Sequence, residues 1–494
     1  MSTFRSLKII HALLLKIACF RTSETKEILV ESNDKESLNS SNLGTRLTNR
    51  EHLAQATISP KVIKETQMGA VIKHDRGNKF LALRQSLFVL VFFVLLAPIM
   101  IFFSVFEIPN SKIAWNFLGI RRSLPLCRNW SKGPMVQLIG DQKIMVMWES
   151  CDAEVETRYF LKTNASTKET EIEGSLVWWD DGMEPKTVYR AFLDNVSTDP
   201  LNISIRSVTN SKSKESFTIS LPQLESKRRL RIAVVGDNQN GTRVFRKALA
   251  VMTRTNPDII LHVGDMVQDP YNDLDWQKQF FDPLKLSGLM QDKRFIITQG
   301  NHDVHGKSRA AYFAPLNELK GQPAGYYYAQ TIGTTRFIVC DSNTEDPRQL
   351  EWLRNELLGE ESQKAAFRIV SVHVSPFIEY WDPMAWIQGE KRWPCYVRNN
   401  MVRIFEQGRV DLVISGHQHN YQRGRLNGVT YIVTGGGGGK LDAQRVEEFD
   451  SIYQTTVISH HLVMLDITPR KIRVTMHQIN GNIGDSFTIN RRHN

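Results

Sequence analysis

The sequence predicts an α/β fold from about Leu230 onward, an all-β module before it, and one membrane-spanning helix nearer the N-terminus. Three patterns carry this reading. After Leu230, short apolar runs alternate with helical stretches, the signature of sheets covered by helices. Between about Leu124 and Leu224 the runs are rich in β-branched and aromatic residues, with turn formers between them. Leu87–Phe106 is an apolar run in which Ser104 is the sole polar side chain and Pro98 the sole helix breaker.

A chain of 494 residues is too long for one core, so two or more folded units plus tails are expected. The composition, 41% apolar and 23% charged, is that of a globular protein. The net charge of +10 is spread along the chain, and basic runs such as Lys227-Arg228-Arg229 read as solvated linker. No nucleic-acid motif is present, so nucleic acid is not an expected partner. The oligomeric state is not legible. Of the five cysteines, Cys19 precedes the apolar run and Cys127, Cys151, Cys340 and Cys395 follow it. The first bridge to test is Cys127–Cys151, whereas Cys340, inside a strand, reads as a buried thiol. No Cys-x-x-Cys pair occurs, so a thiolate metal site is not expected.

Residues 1–85 read as a disordered cytoplasmic tail: Ile9–Phe20 is interrupted by His11 and Lys16, and Thr22–Ser41 is polar without period. Met68 is an alternative start. The run within 86–107 is long enough for a helix to cross the roughly 30 Å hydrocarbon core, and no Ala-x-Ala cleavage pattern follows it. It is therefore expected to be an uncleaved signal anchor. Lys73, Arg76, Lys79 and Arg84 lie upstream, and Lys112, Arg121 and Arg122 mostly farther downstream. The positive-inside asymmetry keeps the N-terminus cytoplasmic and places the large C-terminal part in a periplasmic, lumenal or extracellular space. Residues 108–123 are a linker.

Residues 124–225 are expected to form a β-sandwich of the fibronectin type, from strands beginning near Lys143, Glu156, Thr187, Ile203 and Ser216. It holds no ligand cluster, so its role is spacing or packing. Asn129, Asn164, Asn195 and Asn202 fit the N-glycosylation pattern, which matters only in a eukaryotic secretory route.

In residues 230–490 five apolar runs terminate in metal-ligand residues: Val234-Val-Gly-Asp237, Leu261-His-Val-Gly-Asp265, the run ending in Gly300-Asn301-His302-Asp303, Val370-Ser-Val-His373 and Ile414-Ser-Gly-His417-Gln-His419. Strand carboxyl ends share one rim in an open α/β sheet, and ligands bind along it. Asp237 and Asp265 follow Val-Gly exits, where glycine lets the chain turn. Asp265 is the natural bridge, because one carboxylate binds two cations through its two oxygens. Asn301 offers an amide oxygen, and His373, His417 and His419 offer imidazole nitrogens. Such a mixture without thiolate suits Zn, Mn or Fe rather than Ca. Between these runs, Phe245, Leu249 and Met252 mark one helix. Asp346, Pro347 and Gln349 mark the capped start of another, with Leu350, Leu353 and Leu357 as its stripe and Gly359 as its C-terminal cap. Gly435–Gly439 is no phosphate-binding P-loop, since no Gly-Lys-Ser/Thr follows; it reads as a tight strand exit.

In their order, these five motifs resemble those of the calcineurin-like metallophosphoesterases. The continuation Asn420-Tyr421-Gln422-Arg423 and the preceding β-module look most like the purple acid phosphatase branch. The resemblance implies a two-sheet sandwich flanked by helices, holding two divalent or mixed-valence metal ions and hydrolysing phosphate esters through a metal-bridging hydroxide. It also implies that Asp237, Asp265 and His419 hold one ion and Asp265, Asn301, His373 and His417 the other. His302 then contacts the phosphate or protonates the leaving oxygen, with Asp303 orienting its ring.

Three positions depart from that branch. Gln268 stands where the purple enzymes have tyrosine, which removes the ligand behind their colour. Gln239 replaces a histidine found in many relatives; it binds through its amide oxygen or leaves a place to water. No histidine occurs in 374–394; Trp381 and Asp382 lie there, and Trp381, Trp386 and Trp393 crowd that loop. His305 reads as a loop residue. Two functions are therefore expected to compete: a membrane-anchored phosphoesterase of monoesterase or diesterase type, and a surface binding or scaffold protein with a phosphatase-like domain.

Overall fold

The computed structural model describes residues 130–150, 157–164, 168–177, 186–194, 200–209, 212–224, 227–304, 312–313, 326–446 and 451–492. The tail 1–85, the anchor 86–107, the linker, Cys19, Cys127, Cys151, Asn129, Asn195 and His305 lie outside the described residues. No helix among the described residues is long and apolar enough to cross a membrane.

The N-terminal module contributes β1 (Trp130–Gly140), β2 (Lys143–Ser150), β3 (Thr157–Thr163), β4 (Thr170–Ile172), β5 (Gly174–Val177), β6 (Lys186–Leu193), β7 (Leu201–Thr209) and β8 (Lys212–Leu221). Alternation is clearest in β7, where Leu201, Ile203, Ile205, Ser207 and Thr209 are buried and the residues between them are not. Trp148 anchors the interior: its ring stacks on Tyr189 at 5.4 Å and meets Tyr159 edge-on at 5.7 Å.

From Leu230 the chain builds β9 (Leu230–Val235), α1 (Thr242–Thr255), β10 (Ile259–His262) and β11 (Arg294–Ile297). After them come β12 (Tyr328–Ile332), β13 (Thr335–Cys340), α2 (Pro347–Leu358), β14 (Phe367–Val374), β15 (Leu412–Gly416), β16 (Tyr421–Leu426) and β17 (Val429–Thr434). The chain closes with β18 (Tyr453–Val457), β19 (His461–Thr468), β20 (Lys471–Gln478) and β21 (Ile483–Asn490). Strands β9, β10 and β11 are parallel neighbours, as are β13, β14, β15 and β17. Every residue of β10, β11, β14, β15 and β17 is buried, as expected for parallel strands covered on both faces. One core cluster joins Val234 and Ile260 of the first sheet to Ile369 and Ile414 of the second, so the two sheets share an interior. On the outer face of the second sheet, Leu353 and Leu357 of α2 pack with Val370, Val372 and Phe405.

The module is not merely placed before this sandwich. Its strands β1, β2, β6 and β5 continue the first sheet, in the order β21-β20-β19-β9-β10-β11-β1-β2-β6-β5, with Val136 of β1 opposite Arg294 of β11. Pairing the β11 edge with β1 removes an exposed edge that would otherwise template foreign strands. The remaining strands form a separate sheet, β4-β3-β7-β8.

One expectation about α2 needs correction. Asp346 does cap the helix, accepting from the Arg348 amide at 3.0 Å. Gln349 does not complete a capping box: it is fully buried and exchanges hydrogen bonds with the backbone of Asp341, at 2.6 and 2.8 Å. Gly359 stands at the C-cap as expected, in an extended conformation (φ −68°), and also starts the next helix, Glu360–Lys364.

A buried charge network locks β1 and β2 to the loop after β10. Lys132 donates to both oxygens of Glu149, at 2.8 and 2.9 Å, and pairs with Asp273; all three side chains are fully buried. Tyr312 donates to Glu149 at 2.8 Å, and Lys186 pairs with Asp273 from a more exposed position. Substituting Lys132→Met leaves two buried carboxylates short of a cation. Urea denaturation should register a loss of about 3–5 kcal/mol; a loss below about 1 kcal/mol would show that the network does not hold the module in place.

Candidate metal centre

Each strand end reaches the centre by a short, strained exit. Asp237 and Asp265 take left-handed backbone angles, φ 58° and 54°, and so does His417 at φ 70°. Non-glycine residues adopt this region at a cost and cluster in it at functional sites. The exits are packed too closely for a side chain beside them. A Cβ on Gly300 would stand 2.1 Å from Asp265 Oδ1, and one on Gly416 would stand 2.4 Å from Asp237 Oδ2.

The predicted ligands converge. Donor atoms of Asp265, His373 and His417 lie within 4.8 Å of one another, and all three residues are buried. His373 Nε2 is 3.2 Å from Asp265 Oδ2 and 3.1 Å from Asn301 Oδ1. His419 Nε2 is 3.7 Å from Asp237 Oδ1. The Asp237 carboxylate also accepts the His417 amide at 2.7 Å, tying the first strand end to the last. Carbonyls hold two of the rings: Nδ1 of His373 donates to Val263 O and Nδ1 of His419 to Lys440 O, both at 2.7 Å. That turns each Nε2 toward the centre, the arrangement metal-binding imidazoles use.

Gln239 enters the same space. Its side-chain nitrogen is placed 3.4 Å from Asp265 Oδ2 and 3.2 Å from His419 Nε2, and its amide oxygen is buried without a partner. Gln268, at the position of the missing tyrosine, turns away: it accepts from Asn240 at 2.9 Å and is exposed.

The electrostatics fit cations. Asp237 Oδ2 is buried and has no hydrogen-bond partner. Burial pushes the Asp237 carboxyl well above the usual range against the pull of His373, and the Asp265 and Asp303 charges add to the push. Burial acts the same way on Asp265, but the charge and hydrogen bond of His373, together with the His302 and His417 charges, hold that carboxyl below the usual range. His373, which burial alone would lower, is raised to about 10 by Asp265. His417 is driven well below its ordinary value by burial and by the His373 charge. Carboxylates with one orphaned oxygen, two tethered imidazoles and no thiolate make a donor set suited to hard or borderline divalent ions.

His302 is half-buried at the rim. Its amide donates to Asp265 Oδ1 at 2.9 Å, and its ring Nδ1 pairs with Gln268 O at 2.8 Å. The expected role of Asp303 is therefore corrected: it does not orient the His302 ring. Its buried carboxylate accepts the amides of Asp265 at 2.7 Å, Met266 at 2.8 Å and Gly300 at 2.8 Å, clamping two ligand loops together. Burial raises this carboxyl to about 7, with the Asp265 charge adding to the effect and the Gly300 and Met266 amides opposing it.

Several supporting groups were not singled out from the sequence. Asp442 accepts the His419 amide at 2.8 Å. Trp381, flagged only as part of a crowded loop, lies with its ring centroid 4.1 Å from that of His417, and Trp393 lies at 5.6 Å. This loop is pinned rather than loose: Trp381 N donates to Gln444 O at 3.0 Å, Val446 N to Glu379 O at 2.8 Å, and Tyr380 bridges Arg445.

The matched family agrees with this geometry. Residues 230–421 match the sequence profile described as calcineurin-like phosphoesterase. That stretch is a calcineurin-like phosphoesterase domain. The chain is 23% identical over 284 residues to a nucleotide pyrophosphatase/phosphodiesterase of Hordeum vulgare, covering 48% of this chain and 73% of the relative. It is 24% identical over 307 residues to the probable purple acid phosphatase 20 of Arabidopsis thaliana, covering 58% and 67%. Among solved structures, GAP50, the anchor in the inner membrane complex of Plasmodium, aligns with a TM-score of 0.43 at 17% identity, over 54% of this chain and 90% of that one.

Within the phosphoesterase domain, Asp303→Asn would set an amide N–H₂ against backbone donors. The expected outcome is a loss of about 1–3 kcal/mol in stability and a 10- to 100-fold weaker affinity for Mn or Zn, read by thermal denaturation and metal titration. Unchanged metal affinity would show that the clamp does not shape the centre.

Proposed function

We propose that the protein is a membrane-anchored phosphoesterase that works with two metal ions and has its catalytic part outside the cytoplasm. Phosphoester hydrolysis is the activity class of the matched family. The observation that carries the reading is the convergence of Asp237, Asp265, Asn301, His373, His417 and His419, with a buried carboxylate oxygen left unpartnered. The anchor reading rests on the apolar run Leu87–Phe106 and its upstream basic flank.

Asp237, Asp265 and His419 would hold one cation; Asp265, Asn301, His373 and His417 the other; Gln239 would add its amide oxygen. Bound there, the cations supply Lewis-acid activation of water and neutralise charge developing on the phosphoryl oxygens. The remaining roles belong to the polypeptide. Nδ1 of His302 is taken by Gln268 O, which leaves Nε2 as the open proton site for the leaving oxygen. Asp303 keeps the Asp265 and Gly300 loops in register. Trp381 covers His417 and keeps water from that ring face. No serine or cysteine nucleophile is required. The complete ligand set argues for this reading over a scaffold, because a binding protein gains nothing from keeping buried carboxylates together.

The test is hydrolysis of p-nitrophenyl phosphate and its bis ester by the full chain loaded with Mn, Zn or Fe. His302→Ala should lower kcat about 10²–10⁴-fold with metal content retained. No turnover of either ester by metal-loaded wild type would leave the scaffold reading standing. Separately, His417→Ala should reduce bound metal, measured by elemental analysis, and abolish turnover with it. Full metal occupancy in that variant would remove His417 from the ligand set.

A further inference from the structure

At the end of the sheets away from the metal centre, a cleft of about 650 Å³ opens between Lys227-Arg228, the β12–β13 turn Thr331–Thr335 and the end of β19 at Thr468. It shares Gln142, Leu224, Thr331 and Ile332 with an inner recess of about 30 Å³, which Arg294 and Gln330 line. Arg294 opens β11, the strand whose far end leads to Asn301, so this space is distinct from the crevice already described.

Two observations point to a ligand. First, the recess holds buried donors with nothing to bond. Arg294 is 2% exposed; its Nη1 donates to Pro222 O at 2.8 Å, but its Nη2 has no acceptor. Gln330, also 2% exposed, has an unpartnered Nε2, and the buried Thr335 hydroxyl in the adjoining cleft is likewise unpartnered. Burial lowers the Arg294 guanidinium to about 10, with the Asp258 charge opposing. Asp258 is itself engaged by Lys227 and by the Arg231 amide at 2.9 Å. A buried cation with a free N–H is costly unless an acceptor, preferably an anion, completes it.

Second, the lining is complementary to an anion with an aliphatic body. Lys143, Lys227, Arg228 and Arg294 line the two spaces together with Asp141 and Glu361; Asp141 is already held by Arg336 at 2.7 Å, Lys227 pairs with Asp258, and Lys143 lies 3.8 Å from Asp194. Leu138, Ile144, Leu201, Leu224, Leu230 and Ile332 supply the apolar surface. A recess of about 30 Å³ takes roughly two water-sized groups. Two donors over two such positions match the two oxygens of a carboxylate.

We propose that this cleft is a second ligand site, which takes an organic carboxylate with its oxygens on Arg294 and Gln330 and its aliphatic chain along the cleft. Water filling the recess would satisfy the N–H groups but add no negative charge beside the guanidinium, whose nearby Asp258 is shared with Lys227.

The test is thermal denaturation of the full chain with sodium hexanoate, acetate or phosphate, each against sodium chloride at equal ionic strength. Hexanoate at saturating concentration should raise the Tm of wild type by about 2–4 °C, and acetate by less. In Gln330→Leu, which removes the donor at similar volume, the hexanoate effect should vanish. If that variant does not fold, Arg228→Glu at the mouth should weaken hexanoate binding to the chain, measured calorimetrically, at least tenfold. Phosphate binding at the metal centre raises Tm equally in wild type and variant, so only the variant-sensitive share reports on the cleft. No rise beyond chloride, an equal hexanoate rise in wild type and Gln330→Leu, or loss of the phosphate effect alone would overturn the assignment.

Discussion

The architecture depends on bringing carboxylates together where water cannot separate them. Asp237 and Asp265 are both buried at neighbouring strand ends, and one oxygen of Asp237 meets no hydrogen. In a medium of low polarity such groups repel, and each is costly to desolvate. The backbone around them shows that their closeness is enforced. Asp237, Asp265 and His417 sit at positive φ, and glycines leave no Cβ between Asp237, Asp265 and their neighbours. Strain of this kind persists only where the surroundings over-determine it. Those surroundings are the parallel strands, the Asp303 clamp and the amide bond from His417 back to Asp237. A cation bound there would turn this repulsive cluster into an attractive one, and the clamp and the strained exits are what keep these side chains in place.

The N-terminal module takes part in the same rigidity. Because β1 pairs with β11, the strand leading to Asn301 is flanked by hydrogen-bonded neighbours on both sides, β10 and β1. The Lys132–Glu149–Asp273 network then ties β1 and β2 to the loop that follows Asp265. Charges buried this way are sensitive to geometry, so they favour one docking of the module over its near alternatives. The module therefore reaches the metal rim through two connections, although it carries no ligand itself.

Much of this was legible in the sequence, for a physical reason. A buried parallel strand must be almost wholly apolar, so a polar ligand at its end stands out: Asp237, Asp265, His373 and His417 each follow such a run. Strand β1 was not legible, because Lys132 and the Gly133-Pro134 pair break its apolar pattern; Lys132 is buried only because Glu149 and Asp273 meet it. The true task of Asp303 was equally hidden. Its partners are backbone amides, which carry no sequence signature, and so are the carbonyls of Val263 and Lys440 that orient His373 and His419. Gln349 matched a capping box by spacing, yet the buried Asp341 backbone claimed both ends of its amide.

The wall above the centre narrows the chemistry left to the polypeptide. In the purple acid phosphatase branch this region brings imidazoles to the substrate, whereas residues 374–394 hold none and set Trp381 over His417 instead. An indole carries no charge and exchanges no proton at ordinary pH, so it covers the His417 ring without offering a proton. Glu390, in the same loop, is a carboxyl that burial pushes upward while the His302 charge draws it down. With Gln268 in place of a tyrosine and turned outward, His302 is the group at the rim that would deliver a proton under the proposed reading. The carbonyl that fixes the His302 ring comes from that same Gln268, three residues beyond Asp265. The loop that carries Asp265 thus also fixes the ring of His302.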